Sequence, residues 1–242
     1  MRREVFPWTE EQGQIKSLFE DRAGRLWLGS SNGLYRVYPD TLTLEKVEQL
    51  PFYVTQMAQD KLGFLWLSGR EGLIKWHPDT LELKRFTNDL KLAADLDYIY
   101  DLAVDSNDLV WVGGSGDGLA IIADNPDFVI DDFTSRDPYR LSNEMVWGIY
   151  ADEQQVWLGT DKGLIEIDRI KKTSHTYVPD ELEVNDSIYM VSRFDEQHLL
   201  LGTTNGLFVY DRASKTSQRF AKISGGRTSI ENKLIYFTYK DP

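Results

Sequence analysis

Few residues in this sequence have both the type and the spacing that chemistry requires. The three histidines, His77, His175 and His198, are candidates for a general base. They fall at three different positions of the pattern that repeats along the chain, so no position of the repeat brings two of them together. The chain has no cysteine, which excludes disulfides and thiolate metal sites. We therefore predict no catalytic residue and interpret the histidines as surface residues.

Two segments resemble ligand-binding loops. The glycine-rich run Gly113–Gly118 leads into a strand, whereas a phosphate loop needs a helix N-terminus and usually a lysine. The segment Asp105–Asp108 has the oxygen spacing of a calcium loop but lacks its glycine and its distal glutamate. An ordinary turn accounts for both segments, so the sequence predicts neither a metal ion nor a cofactor.

The charge balance narrows the class of partner. The chain has 242 residues with 27 Lys plus Arg and 39 Asp plus Glu, a net charge of −12. A nucleic-acid surface needs clustered cations, so nucleic acid is excluded as a partner. No apolar run reaches the roughly 18 residues that span a bilayer, and Met1–Glu4 does not begin a signal peptide.

One pattern of residues recurs five times along the chain. The five copies are Ile15–Val37, Val54–Trp76, Ile99–Ile122, Val146–Ile167 and Ile188–Tyr210. Each has an acidic residue after its first apolar run: Asp21, Asp60, Asp105, Asp152 and Asp195. A large apolar residue follows: Trp27, Trp66, Trp111, Trp157 and Leu200. A Gly-Leu pair comes next, beginning at Gly33, Gly72, Gly118, Gly163 and Gly206. Spacings of 39, 46, 45 and 43 residues between these glycines are typical of a four-stranded propeller blade.

Each anchor residue has a structural role. An aspartate can begin a tight turn because its side chain accepts backbone N–H groups two residues on. Tryptophan provides a large apolar plate for packing one blade on the next. The glycine of the Gly-Leu pair predicts a turn with positive φ. A polar edge strand follows each copy, at Leu42–Val47, Leu81–Phe86, Phe128–Phe133, Thr173–Val178 and Thr216–Phe220.

The pattern predicts an all-β fold, a β-propeller of four-stranded antiparallel blades with five complete repeats and the start of a sixth. We assign residues 1–242 to one propeller repeat domain. The blade cores lie near 15–47, 54–86, 99–133, 146–178 and 188–220, with a partial sixth repeat at 232–242.

The two ends suggest a fragment of a larger propeller. Leu234–Lys240 reads as the inner strand of an unfinished blade, and Val5–Trp8 as an edge strand without a preceding blade. Unpaired strand edges are templates for pairing with another chain. We therefore expect an open arc that self-associates.

The repeat resembles the two-component regulator propeller repeat, on the pattern Asp-x-x-Gly-x-Leu-Trp-Leu-Gly-Ser/Thr-x-x-Gly-Leu. The first copy departs little from it, and the fourth keeps Val-Trp-Leu-Gly-Thr-Asp-Lys-Gly-Leu. Ser68 replaces the first glycine in the second copy, and the fifth copy lacks the tryptophan. The resemblance implies a periplasmic sensor region of a membrane-bound signalling protein, with a kinase or cyclase output domain elsewhere in the full-length protein.

A ligand site is expected on one face of the blades. In a propeller, the turn joining the second to the third strand (the 2–3 turn) lies beside the lead-in loop before the first strand. Side chains there differ between copies while the framework repeats, as on a scaffold with a grafted site. The predicted ligand-binding residues are Asn32, Arg70, Glu71, Tyr98, Asp117, Asp161, Lys162 and Asn205.

Three hypotheses of function follow. The first is a non-catalytic sensor that binds a small ligand, with carbohydrate as one candidate class, and relays binding to the output domain. The alternative is a propeller-scaffold enzyme such as a polysaccharide lyase or glycosidase, which needs two carboxylates facing a cleft. The third is a scaffold for protein–protein contact.

Overall fold

The computed structural model describes residues 8–70, 72–86, 98–114, 119–122, 129–133, 145–178, 186–220 and 234–236, with the backbone alone for 129–133. A short 3₁₀ helix, Glu10–Gln12, precedes the first strand. The rest of the regular structure in these ranges is almost entirely β-strand.

In the described ranges, twenty strands form five sheets of four. Blade 1 holds β1 (Ile15–Glu20), β2 (Leu26–Ser30), β3 (Gly33–Tyr38) and β4 (Thr43–Lys46). Blade 2 holds β5 (Gln56–Gln59), β6 (Leu65–Gly69), β7 (Gly72–Trp76) and β8 (Leu83–Phe86). Blade 3 holds β9 (Ile99–Val104), β10 (Val110–Gly114), β11 (Leu119–Ile122) and β12 (Val129–Phe133). Blade 4 holds β13 (Val146–Ala151), β14 (Gln155–Thr160), β15 (Gly163–Asp168) and β16 (Thr173–Tyr177). Blade 5 holds β17 (Ile188–Arg193), β18 (His198–Thr203), β19 (Gly206–Asp211) and β20 (Thr216–Arg219).

Every sheet is a meander in which each strand pairs with the next along the chain. The strand pairings with a described register are antiparallel, for example Leu28 opposite Leu18 on β1 and Tyr35 on β3. This is the strand order of a propeller blade, and it confirms the predicted all-β fold class.

The blades group into two compact units. The first contains blades 1 and 2, together with Tyr98 and Ile99, and the second contains the remainder of blade 3 with blades 4 and 5. Within the first unit, Trp27 packs with Val54 and Leu67 between the two sheets. Within the second, one cluster joins blades 3 and 4 and another joins blades 4 and 5. The predicted plates Trp27, Trp66, Trp111 and Trp157 are buried, with 3 % exposure or less.

The edge strands begin later than the sequence predicts in the first two blades. Leu42 and Leu81 have φ of 53° and 60°, and β4 and β8 start one and two residues after them. Lys172 and Lys215 have the same conformation directly before β16 and β20. A left-handed residue closes the turn from the third strand, so extended backbone can begin only after it. The prediction of strand at Leu42 and Leu81 is therefore wrong.

The observed inner strands differ at two ends from those that the repeat predicts, which are Ile15–Glu20, Val54–Gln59, Ile99–Val104, Val146–Ala151 and Ile188–Phe194. The strand predicted from Val54 begins at Gln56, because the Val54 N–H bonds to Ser30 O of the preceding blade (2.9 Å) and not within its own sheet. At the other end, β17 stops at Arg193 and Phe194 lies in the turn.

A glycine on the second strand leaves room for the backbone of the next blade. A Cβ built on Gly159 would lie 2.5 Å from Ile188 O, and one on Gly202 would lie 2.7 Å from Ile235 O. These distances are well below contact, so the backbone of the following repeat needs the missing side chain. The glycine of the Gly-Leu pair has the predicted positive φ, 138° at Gly33 and 130° at Gly163.

The start of the sixth repeat contacts blade 5 as Val54 contacts blade 1. Ile235 N donates to Thr203 O (3.0 Å), and the ring of Tyr236 lies 5.1 Å from that of Tyr189. Residues 234–236 are not assigned to a strand. The other parts of the two predicted terminal strands, 5–7 and 237–240, lie outside the described residues, so the open arc and self-association stay predictions.

Candidate functional site

A buried hydroxyl fixes the 2–3 turn in three of the blades. In blade 1, Ser30 Oγ donates to Gly33 O (3.1 Å) and accepts from Asn32 N (3.0 Å). Thr160 and Thr203 form the same pair of bonds in blades 4 and 5. The three hydroxyl residues have no exposed surface. We refer to this arrangement as the hydroxyl brace; it holds the backbone of a turn while leaving the side chains at its tip free to vary.

The 2–3 turn of blade 1 is bonded to its own lead-in loop. Asn32 Nδ2 donates to Glu11 O (2.9 Å), and Gln14 N donates to Ser31 Oγ (2.9 Å). Gly13, with φ of 77°, has no room for a Cβ, which would lie 2.1 Å from Ser31 Oγ. Blade 5 shows a similar link, from Thr204 Oγ1 to Asp186 Oδ1 (2.7 Å). The predicted adjacency of turn and lead-in loop is therefore present in these blades.

An open pocket of about 770 Å³ lies at this junction in the first unit. Its lining residues are Glu10, Gly13, Gln14, Lys16, Ser31, Asn32, Tyr53 and Arg70. We call it the turn pocket. Its size is within the range of ordinary small-molecule sites, roughly 300–1,000 Å³.

Two cations lie close to one aromatic ring in the turn pocket. Lys16 Nζ lies 5.3 Å and Arg70 Cζ 4.9 Å from the centroid of the Tyr53 ring. Lys16 Nζ also donates to Gln14 Oε1 (3.1 Å), which is neutral. Cations at these distances are attracted by the ring quadrupole, so Tyr53 helps to position both charges.

The predicted site residues divide between the two units. Asn32 and Arg70 meet in the turn pocket, while Tyr98 is half-buried and is not part of its lining. Asp161 accepts from Met145 N (3.3 Å), and Lys162 is exposed at the tip of the same turn. Asn205 O accepts from Arg219 Nη1 (2.7 Å) in blade 5. Glu71 and Asp117 lie outside the described residues.

A row of four aromatic rings, each tilted against or edge-on to the next, lies in the second unit and was not predicted from the sequence. The ring centroids of Tyr100 and Trp147 are 4.3 Å apart, those of Trp147 and Tyr189 5.2 Å, and those of Tyr189 and Tyr236 5.1 Å. We call these four residues the aromatic row. Each is the second residue of its repeat, a position that Lys16 holds in blade 1. Comparing that column of the repeats would have revealed the row.

β-bulges account for the direction of these side chains. The register of the first two strands shifts between Ile15 and Ser17, between Val146 and Gly148, and between Ile188 and Met190. The extra residues are Lys16, Trp147 and Tyr189. A bulge leaves one residue outside the ladder and turns its side chain away from the alternating pattern. The lysine of the turn pocket and the centre of the aromatic row are thus placed by the same device.

The aspartate of the repeat also binds the tryptophan, which the sequence analysis missed. Asp21 Oδ1 accepts from Ala23 N and Arg25 N, both at 2.9 Å, and its Oδ2 accepts from Trp27 Nε1 at 2.9 Å. Asp60 and Asp105 make the equivalent bonds to Trp66 and Trp111.

A cation completes each of these three carboxylate sites. Arg25 pairs with Asp21 at 2.6 Å, Lys75 with Asp60 at 3.1 Å, and Arg169 with Asp105 at 2.8 Å. Burial alone would raise the pKa of Asp21, but the bonds from Trp27 and Arg25 and the Arg25 charge hold it below its ordinary value. The oxygens of Asp105 are occupied in this way, and so the turn interpretation of the calcium-like segment is confirmed.

The shorter hairpin of blade 4 changes this network. Asp152 lies five residues before Trp157, one fewer than in blades 1 to 3. Asp152 Oδ2 pairs with Arg212 (2.6 Å), and the buried Trp157 Nε1 has no hydrogen-bond partner among the described residues.

A second carboxylate is buried between two inner strands. Asp101 on β9 accepts from Leu102 N (2.9 Å) through Oδ1 and from Ile149 N of blade 4 (2.6 Å) through Oδ2. Its burial raises its pKa to about 7, against the two backbone hydrogen bonds, which act to lower it. Asp101 therefore joins two blades and titrates near neutral pH.

Other candidate chemistry finds little support in the described part of the chain. His77 Nδ1 accepts backbone N–H groups of its own turn, His175 is exposed on an edge strand, and His198 contacts Asp195 at 2.8 Å. No group of three metal-ligating side chains occurs among the residues described. Within the same ranges, there is no helix with the length and apolarity that a bilayer crossing requires.

Solved structures share this fold. The extracellular domain of a putative one component system, BT4673, from B. thetaiotaomicron is 24 % identical with a TM-score of 0.72, over 92 % of this chain and 29 % of that one. PorZ, a surface component of the type-IX secretion system of Porphyromonas gingivalis, is 16 % identical with a TM-score of 0.64, over 91 % and 35 %. A third structure, that of U3-55K, is 12 % identical with a TM-score of 0.70, over 94 % and 70 %. At these identities the likeness establishes a β-propeller fold and nothing further.

The first repeat connects the chain to a family. The model of the two component regulator propeller matches residues 10–32, which span the lead-in loop, β1, β2 and most of the 2–3 turn of blade 1. This match confirms the resemblance read from the repeat. No curated protein matches the sequence. The chain spans about a third of the length of the bacterial structures named here. The family match over the first repeat is consistent with a role in signalling.

Proposed function

We propose that this chain is a non-catalytic sensor module that binds a small ligand in the turn pocket. The observation that carries the proposal is the convergence of Lys16, Asn32, Tyr53 and Arg70 on one pocket of about 770 Å³. A bulge places Lys16 and a hydroxyl brace holds the turn of Asn32, so the site is formed before a ligand arrives. Preformed, concave sites with a few polar groups are typical of small-molecule binding.

The relay follows from where the pocket lies. Its lining comes from the lead-in loop, the first strand and the 2–3 turn of blade 1, and from the lead-in and turn residues of blade 2. A ligand that contacts both blades changes the free energy of their packing, and it shifts an output domain by its differential affinity for two states. We infer a kinase or cyclase output in the full-length protein and a periplasmic location, on the support of the family match and the extracellular relative.

The lining does not favour the enzyme alternative. Glu10 is the one carboxylate among the eight lining residues, whereas a glycosidase places two carboxyl groups roughly 5–10 Å apart. Carbohydrate remains the class of ligand that we test first, because Tyr53 offers a ring for stacking, and amide and hydroxyl groups surround it.

A thermal-shift screen of the chain against mono- and oligosaccharides tests the proposal. A ligand present at about 100 times its Kd should stabilise the fold by about 2.7 kcal/mol. Arg70→Ala should remove the shift, and Lys61→Ala, which removes an exposed cation of the same unit outside the pocket, should retain it. Shifts that survive Arg70→Ala would place the site elsewhere, and release of saccharide products would favour the enzyme.

A further inference from the structure

The cations of the turn pocket differ from the cations that the structure describes beside the tryptophan plates of the blades. Arg25, Lys75, Arg169 and Arg212 each pair with a carboxylate between 2.6 and 3.1 Å. Lys16 and Arg70 form no such pair with a described carboxylate, and Lys16 bonds instead to the neutral Gln14 Oε1. In a chain of net charge −12, two cations held at one ring without an acidic partner require explanation.

The polar groups around these cations suit a ligand that also has hydroxyls. The neutral polar side chains in the lining are Gln14, Ser31, Asn32 and Tyr53. Gln14 Oε1 and Ser31 Oγ already accept bonds from within the protein, and the brace fixes the turn that holds Asn32. The arginine fork and the lysine ammonium match an oxyanion, since Arg binds planar carboxylates bidentately and Lys acts as a point charge.

Glu10 limits the charge that the pocket accepts. Its carboxylate is in the same lining as Lys16 and Arg70, which leaves a formal excess of one positive charge. A singly charged oxyanion matches that excess. A phosphate monoester, with a charge of about −1.5 to −2 at neutral pH, exceeds it.

We propose that the turn pocket selects a small ring-shaped ligand that carries one carboxylate or sulfate group. This selection presupposes the function proposed above. The anion lies between Lys16 and Arg70, and the ring faces Tyr53. Carboxylate and sulfate share this chemistry, and the experiment below separates them.

Isothermal titration with four sugars of similar size tests the selection. The probes are glucuronate, glucose 6-sulfate, glucose 6-phosphate and glucose, each titrated into the chain at low and at high salt. We expect glucuronate or glucose 6-sulfate to bind at least about tenfold more tightly than glucose, with the preference weakening in high salt because exposed charges are screened. Whichever of the two binds more tightly identifies the source of the anion.

Variants test whether Lys16, Arg70 and Glu10 cause the preference for anionic sugars. Arg70→Ala and Lys16→Ala should each reduce the affinity for the anionic probe about tenfold or more while leaving the melting temperature nearly unchanged, since Arg70 is exposed and Lys16 partly so. Arg70→Lys keeps the charge without the fork and should weaken carboxylate binding by less. Glu10→Gln should improve the binding of glucose 6-phosphate. Lys61→Ala serves as the control of equal charge.

The outcomes separate this inference from the proposed function. If glucose binds as tightly as the anions and Arg70→Ala abolishes its binding, anion selection is overturned while the ligand site stands. If none of the four binds, anion selection is overturned and the saccharide screen alone decides the function. If the anions bind equally to the wild type and to both alanine variants, the turn pocket is not their site.

Discussion

At the scale of single residues, the aspartate of the repeat has three structural roles. Asp21 closes its hairpin through backbone N–H groups, fixes the indole of Trp27, and neutralises Arg25. A buried carboxylate is tolerated because each of its oxygens is hydrogen-bonded and a cation is adjacent. The residue that appears in the sequence as a turn former is thus also the anchor of the plate between blades.

The tryptophans of blades 3 and 4 give a matched pair for measuring the indole bond. Trp111 Nε1 donates to Asp105 Oδ2 (3.0 Å), whereas Trp157 Nε1 has no partner among the described residues, and both side chains are buried. Trp111→Phe should therefore cost about 1.5–3 kcal/mol more than Trp157→Phe, because hydrogen bonds to charged groups contribute roughly that much. Urea unfolding of both variants measures the difference, and equal losses would contradict the role of the bond.

Asp101 should make stability depend on pH. Its folded pKa of about 7 exceeds the ordinary value of 3.8, so between these values the folded state holds a proton that the unfolded state has lost. Stability from this group is therefore complete below about pH 4 and falls as pH rises towards 7, by up to about 4 kcal/mol.

Unfolding midpoints between pH 4.5 and 8 measure this effect. Asp101→Asn cannot titrate and should flatten the slope in that interval relative to the wild type. Parallel profiles for the two proteins would show that Asp101 does not titrate there.

At the scale of elements, each blade separates its framework from its surface. The hydroxyl brace holds the backbone of a 2–3 turn through hydrogen bonds. The glycine before it on the second strand leaves room for the backbone of the next blade. The bulge of the first strand directs one side chain, lysine in blade 1 and an aromatic residue in blades 4 and 5. The strand pattern thus leaves the identity of the side chain at the bulge undetermined.

Thr203→Val tests the brace with little change of shape. The hydroxyl bonds Gly206 O and Asn205 N, both at 3.0 Å, and the residue has no exposed surface. Its loss should cost about 1–3 kcal/mol, because partners buried at the turn are left unsatisfied. Thr173→Val on the exposed face of β16 should stay within about 0.5 kcal/mol. Thermal unfolding measures the stability of both variants. Similar losses of stability for Thr203→Val and Thr173→Val would argue against the brace.

At the scale of the molecule, stability is a sum of repeated junctions in a strongly acidic chain. Three described clusters each join two neighbouring sheets, and the net charge of −12 opposes compaction of the whole. Buried pairs such as Lys75 with Asp60 are little affected by salt, while exposed carboxylates are screened by it.

Salt should therefore stabilise the chain. Raising NaCl from 0.05 to 0.5 M should increase the melting temperature by a few degrees, because the screening length falls from roughly 14 to 4 Å and self-repulsion weakens. Scanning calorimetry measures the change. A melting temperature that falls with salt would show that exposed ion pairs outweigh repulsion.

The repeat predicted the strands and sheets of the fold. It did not predict all of the side chains that line the turn pocket. The spacing of Asp21, Trp27 and Gly33 is imposed by backbone geometry in every copy, and so it predicted the sheets. Lys16 was not predicted because a bulge, which leaves no mark in a hydrophobic pattern, decides where its side chain points. The Asp–Trp bond was missed since both residues already had a sufficient explanation. Arg70 and Asn32 were predicted by their turn, but their meeting with Tyr53 depends on packing between blades.

The hydroxyl brace has a consequence for how such a chain diverges over generations. Since Ser30, Thr160 and Thr203 bond backbone atoms of their turns, the turn backbone is held whichever side chain stands at the tip, and substitutions there can accumulate by drift. In this tip column Asn32 and Asn205 are neutral amides, while Lys162 is a longer cation. Descendants of this chain can therefore change the charge of a turn by a single substitution and still fold.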